Sequence, residues 1–94
     1  MQQPYFCHVC GFNLQDEAPW GEDGLDPTFV ICDCCGVEYG YEDVTEAGVA
    51  RYREEWIQSG ANWSSPKLRP PNWSLKEQLS NIPSVLPRGI RRNE

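Results

Sequence analysis

Apolar and polar positions follow two different rhythms along this chain. Between residues 5 and 42 the apolar runs are short and interrupted by turn formers throughout, as in "GFNLQDEAPWGEDGLDPTFVI". That pattern predicts a loop-and-hairpin module, with one strand-like run from Thr28 to Ile31. From Asp43 to Gly60 the rhythm becomes helical: Val49, Tyr52, Trp56 and Ile57 fall at i, i+3, i+7 and i+8, a single buried stripe. Asp43 or Thr45 is the expected N-cap, acids occupy the first turn, and Gly60 is the expected stop. Gly48 weakens the first turn by about 1 kcal/mol relative to alanine. The proline-rich "NWSSPKLRPPNW" predicts an extended connector anchored by Trp63 and Trp73. After it, Ser74 and Glu77 form a capping-box pattern ahead of Leu75, Leu79 and Ile82, so a short second helix is expected over about residues 74–82. Pro83 and Pro87 then break the chain, and "RGIRRNE" reads as a mobile basic tail.

Length changes the picture by demanding a staple. In a chain of 94 residues a single apolar core contributes little net stability once conformational entropy is subtracted. A hydrophobic content of 39% with four tryptophans argues against disorder, while eight prolines and eight glycines imply much loop. No run approaches the roughly 20 apolar residues that span a bilayer, and "MQQPYFC" lacks the basic and apolar regions of a secretory signal, so a cytoplasmic location is expected. The net charge of −6 hides an asymmetry: residues 1–60 carry 12 acids and 2 bases, residues 61–94 carry 2 acids and 6 bases. The two parts, 1–60 (ribbon plus packed helix) and 61–94 (connector, short helix and basic tail), are expected to attract each other or different partners, with 61–94 packed on the same single domain.

The cysteines supply the staple. "YFCHVCGF" and "VICDCCGV" share the form apolar-apolar-C-x-x-C-G-apolar and lie 25 residues apart. Each is a knuckle that presents two thiolates to one metal, with the glycine permitting the positive φ of the tight turn. Cys7, Cys10, Cys32 and Cys35 are therefore the expected ligands of one structural Zn²⁺, with iron as the alternative and disulfides as the non-metal rival. The fold class that follows is a small α+β metal-stapled domain: zinc-ribbon or rubredoxin-like knuckles with short hairpin strands, one amphipathic helix and a short second helix. Cys34 falls outside the repeat and reads as a bystander thiol, with a redox-sensitive or alternate ligand as the sharper possibility. His8, between two ligands, is expected to face solvent.

No nucleophile elbow, Walker loop or dinucleotide fingerprint occurs, and the single histidine has no second partner at informative spacing, so neither an enzyme nor a small-molecule substrate is expected. Nucleic acid is disfavoured because the ribbon half would repel phosphate. The aromatic-acidic run Glu38, Tyr39, Tyr41, Glu42 and Asp43 suggests a protein-docking face instead, extended by Glu22 and Asp23 around Trp20.

Two resemblances bear on function. Tyr5-x-Cys7-x-x-Cys10-Gly11, the central Pro19-Trp20 and Cys32-x-x-Cys35-Gly36 resemble rubredoxin-like ribbons, over residues 5–40. That likeness implies a metal site that serves electron transfer with iron or structure with zinc. Over residues 5–82 the chain is similar to small bacterial cysteine-rich proteins of CPCC type, which carry "CPxCG…ICPCCGxEFGYxD" and a "YRExWIxxGxxW" helix. The matching pieces are the run from Ile31 to Asp43, Tyr52-Arg53-Glu54-Glu55-Trp56-Ile57 and Gly60-Ala61-Asn62-Trp63, with His8 and Asp33 standing where prolines are usual. This likeness implies an accessory protein, some relatives resembling immunity proteins against contact-dependent or Rhs-type toxins. The expectation is thus a zinc-binding interaction module that neutralises a toxin, the acidic first part being suited to a basic one; the alternatives are an electron carrier and a nucleic-acid-binding accessory protein.

Overall fold

A computed structural model of the chain describes residues 5–92. It is a small α+β structure. Strand β1 (Tyr5–Phe6) pairs antiparallel with β2 (Asn13–Gln15), Tyr5 opposite Gln15 and Phe6 opposite Asn13, with a bulge between the two pairs. The first knuckle closes this hairpin. Cys7 N–H donates to Phe12 O at 2.8 Å and Gly11 N–H to Cys7 O at 2.8 Å. The second knuckle repeats the pattern, Cys32 N–H to Val37 O at 2.9 Å and Gly36 N–H to Cys32 O at 3.0 Å. Gly11 at φ 85° and Gly36 at φ 84° take the left-handed backbone that the turn needs, so the sequence repeat is also a conformational one.

The expected strand at residues 28–31 is only partly formed. Ile31 makes an isolated antiparallel bridge with Glu38, whereas Phe29 sits at φ 61°, outside the extended region. Thr28 explains the interruption: its Oγ1 accepts from Val30 N–H at 3.3 Å while its own N–H donates to Pro19 O at 3.1 Å, a local turn that competes with pairing.

Helix α1 (Glu46–Gln58) starts at Thr45, whose side chain accepts from Gly48 N–H at 2.9 Å. Asp43 is not the cap, because its carboxylate serves the interior. Gly48 is there for space rather than propensity: a Cβ would lie 2.9 Å from Glu42 O. Val49 and Trp56 are buried, Tyr52 is half-buried, and Ile57, the last member of the expected stripe, is exposed.

The connector is fastened rather than merely extended. Ser64 N–H donates to Cys34 O at 3.0 Å and Ser65 N–H to Asp33 O at 2.8 Å, and the Ser64 hydroxyl donates to Cys32 O at 2.7 Å. A short 3-10 turn, Pro66–Leu68, follows. Trp63 and Trp73 then meet edge-on at 5.5 Å, with Phe12 edge-on to Trp63 at 5.5 Å, so both tryptophans join one aromatic cluster with the first knuckle. Helix α2 (Leu75–Leu79) is shorter than expected, and is capped by Ser74, whose Oγ accepts from Glu77 N–H at 3.2 Å.

The C-terminal segment is not a mobile tail as far as Arg92. Ile90 is buried, and Arg91 forms a parallel bridge with Thr45, its N–H donating to Val44 O at 2.9 Å and its O accepting from Glu46 N–H at 2.7 Å. The bridge satisfies backbone groups beside the start of α1, and Ile90 supplies the apolar anchor that holds it there. Asn93 and Glu94, the end of the expected tail, lie outside the described residues. No helix among the described residues is long and apolar enough to cross a membrane.

Candidate metal centre

The two knuckles face each other and bring their thiols to one point. The Sγ atoms of Cys7, Cys10, Cys32 and Cys35 all lie within 4.8 Å of one another, and all four residues are buried. Two contacts join the knuckles crosswise: Cys7 to Cys35 at 4.0 Å and Cys10 to Cys32 at 3.7 Å. A disulfide needs about 2.0 Å, so these are free thiols, whereas a tetrahedron with metal–sulfur bonds of about 2.3 Å has sulfur–sulfur edges of about 3.8 Å. Backbone donors already point at sulfur, Val9 N–H to Cys7 Sγ and Cys34 N–H to Cys32 Sγ, both at 3.4 Å. The residues present fit a metal ion, for which each knuckle would supply two ligands.

Electrostatics within the cluster point the same way. Cys10 holds the Cys32 thiol well below its ordinary range, and Cys32 in turn pushes Cys10 well above. Thiols this close share protons and cannot all ionise unaided. A metal cation at the centre would remove that restriction, since thiolates are the binding form. All four thiols are buried, so a metal held there would be enclosed by the protein.

Cys34 is outside the tetrad but is far from incidental. It is buried, and its Sγ accepts from Gln78 Nε2 at 3.2 Å, the same nitrogen that donates to Cys10 O at 3.1 Å. Gln78 Oε1 accepts from Trp73 Nε1 at 2.8 Å. Through this one side chain α2 is tied to both knuckles. The bulk of Gly11 is limited for the same reason, since a Cβ there would lie 2.0 Å from Gln78 O.

The expectation that His8 faces solvent is overturned. His8 is 1% exposed, and its Nε2 lies 2.6 Å from Asp43 Oδ2. Asp43 is fully buried and accepts also from Trp20 Nε1 at 3.0 Å and from Gly40 N–H at 2.7 Å. Burial pushes the Asp43 carboxyl up, but the hydrogen bonds from His8, Trp20 and Gly40 outweigh it and hold its pKa below the ordinary carboxylate value. An ionised carboxylate only accepts, so the His8 proton sits on Nε2. Arg53 covers the other side of the knuckle, donating to Val9 O and His8 O, both at 2.7 Å.

The expected docking face is divided by this network. Trp20, Tyr39 and Asp43 are buried and cannot present contact area to a partner, because the first and third are bonded to each other and Tyr39 packs against His8 with ring centroids 5.5 Å apart. Glu22, Asp23, Tyr41 and Glu42 are exposed and Glu38 is half-buried. Sequence reasoning missed Asp43 as a hub and missed Arg53 and Gln78 altogether. Arg53 stands four residues after Val49, on the flank of the buried stripe, and that position was the only signal it carried.

No family model matches the chain, and no solved structure matches it at a significant level. Among curated proteins, uncharacterized protein YoaQ of Bacillus subtilis (strain 168) is 27% identical over an alignment of 95 positions, covering 86% of this chain and 75% of the relative. Uncharacterized protein YozI of the same organism is 30% identical over 96, covering 86% of this chain and 74% of the relative. At that identity and coverage, the chain belongs to the family that includes YozI.

Proposed function

We propose that this chain is a zinc-stapled protein-interaction module, and that its partner is a bacterial toxin of the contact-dependent or Rhs type, which it neutralises by covering the toxin's working surface. The observation that carries the metal half is the tetrad of buried thiols within 4.8 Å, contributed by two knuckles of identical hydrogen bonding. Four soft ligands in a closed shell suit zinc in a structural role. The interaction half is supported by the acidic, aromatic surface beside the second knuckle and by the absence of any lysine or arginine before Arg51. Such a surface steers basic partners and repels phosphate.

Two measurements test the two halves separately. Protein purified aerobically under reducing conditions is expected to carry one zinc per chain and no visible absorption; a red protein with one iron replaces the structural role with electron transfer. Co-expression with the product of the adjacent upstream gene is expected to give a stable complex and to protect the host from that product. Absence of both complex and protection removes the toxin reading.

A further inference from the structure

We infer that the open edge beside the second knuckle, built by Phe29, Ile31 and Tyr41, is a docking surface for an extended, basic protein segment. The inference rests on the protein-interaction reading above and gives that reading a place and a partner chemistry. It begins with the backbone. The bridge between Ile31 and Glu38 is closed by its neighbours, Tyr39 N–H donating to Val30 O at 3.1 Å and Cys32 N–H to Val37 O at 2.9 Å. In an antiparallel pair of this kind the central residues direct their own N–H and C=O away from each other. Ile31 therefore offers one donor and one acceptor outward, and among the described residues neither has a backbone partner. Natural sheets blunt such edges with lysine, proline or a covering element. Here the edge carries apolar side chains instead.

Those side chains are exposed: Phe29 by 58%, Ile31 by 56% and Tyr41 by 70%. Phe29 also lies over the turn that leads into Tyr41. The Phe29 ring lies so close over Gly40 that a Cβ there would stand 2.8 Å from Phe29 Cε1, and Tyr41 follows directly. Phe29 reaches this place through a left-handed backbone, φ 61°, a conformation unfavourable for a bulky aromatic residue and not offset by burial of its ring. The same kink limits the edge to a single rung, so side-chain contacts must supply most of any affinity.

Charge selects the partner. Glu38 lies directly opposite Ile31, and Glu42 accepts from Glu38 N–H at 2.9 Å, so two acids stand beside the edge, and no lysine or arginine occurs in the first 50 residues. Glu38, directly opposite Ile31, shares its face of the ribbon, so an apolar contact and an acid stand side by side. The matching segment alternates apolar residues with lysine or arginine. A second copy of this chain fits poorly, because pairing two such edges sets acid against acid.

The test uses the full, zinc-loaded chain and a synthetic peptide of alternating lysine and valine, followed by amide NMR. Saturable shifts are expected at Phe29, Val30, Ile31 and Tyr41, with slowed hydrogen exchange at the Ile31 amide. The variant Phe29→Gly relaxes the backbone and removes the ring, so it is expected to fold at least as stably while binding the peptide at least fivefold more weakly. No saturable binding, shifts confined to other surfaces, or equal binding by Phe29→Gly overturns the inference. Equal binding of a glutamate-for-lysine peptide overturns its charge selection, and dimerisation through these amides reassigns the surface to a second copy. A toxin complex that leaves the Ile31 and Tyr41 amides unperturbed overturns this placement while leaving the interaction module standing.

Discussion

At the scale of single residues, the strongest constraint outside the cysteines is Asp43. Three donors converge on one buried carboxylate, from the first knuckle, the Trp20 loop and the backbone of Gly40. Asp43→Asn keeps the shape but removes the charged acceptor, and is expected to lower stability by about 3 kcal/mol in urea denaturation. The pH dependence follows from the sign of the shift. The folded-state pKa is depressed, so the contribution of Asp43 is fully present above the ordinary carboxylate value of about 4 and is lost as pH falls through the lower folded value. The stability gap between wild type and Asp43→Asn should therefore stay level at neutral pH and close on acidification. Cys34 gives a contrasting expectation. Cys34→Ser lies outside the tetrad, so it should retain a full equivalent of metal while loosening the contact with Gln78. Loss of the metal in that variant assigns Cys34 to the ligand set instead.

At the scale of elements, legibility depended on whether the signal was local. The knuckles were readable because ligand spacing and the following glycine are set within five residues, and α1 because its stripe and Thr45 cap lie within one short segment. The bridge from His8 to Asp43 spans 35 residues and leaves no periodic trace. A histidine between two ligands looks solvent-facing until the loop that covers it is known. Ile90 was overlooked because one apolar residue in a basic, proline-broken segment carries no pattern. Phe29 failed as a strand residue because a turn at Thr28 overrode its β propensity. Gly48 shows the same limit from the other direction. Propensity alone predicts that Gly48→Ala stabilises α1 by about 1 kcal/mol. The nearby Glu42 carbonyl and Thr45 hydroxyl, 2.9 Å and 3.1 Å from the new Cβ, predict a net loss of roughly 1–2 kcal/mol by thermal or urea unfolding.

At the scale of the whole molecule, short elements are held together by cross-ties rather than by a broad sheet. Gln78 ties α2 to the knuckles, Ser64 and Ser65 tie the connector to the second knuckle, and Arg91 ties the C-terminal segment to the start of α1. The sequence division at residue 60 is crossed by all three. Ile90→Ala, in a segment that would be inert if it were a free tail, is accordingly expected to cost about 2–4 kcal/mol in urea unfolding. Two of these ties reach the thiol tetrad, so the binding free energy of a metal held there would also be folding free energy, on the order of 10 kcal/mol for structural zinc in peptides. The most direct test of that claim is far-UV circular dichroism of the reduced protein during chelation to complete metal removal. Loss of the folded spectrum in step with departure of one equivalent of zinc is the predicted result. An unchanged spectrum on the metal-free chain contradicts it.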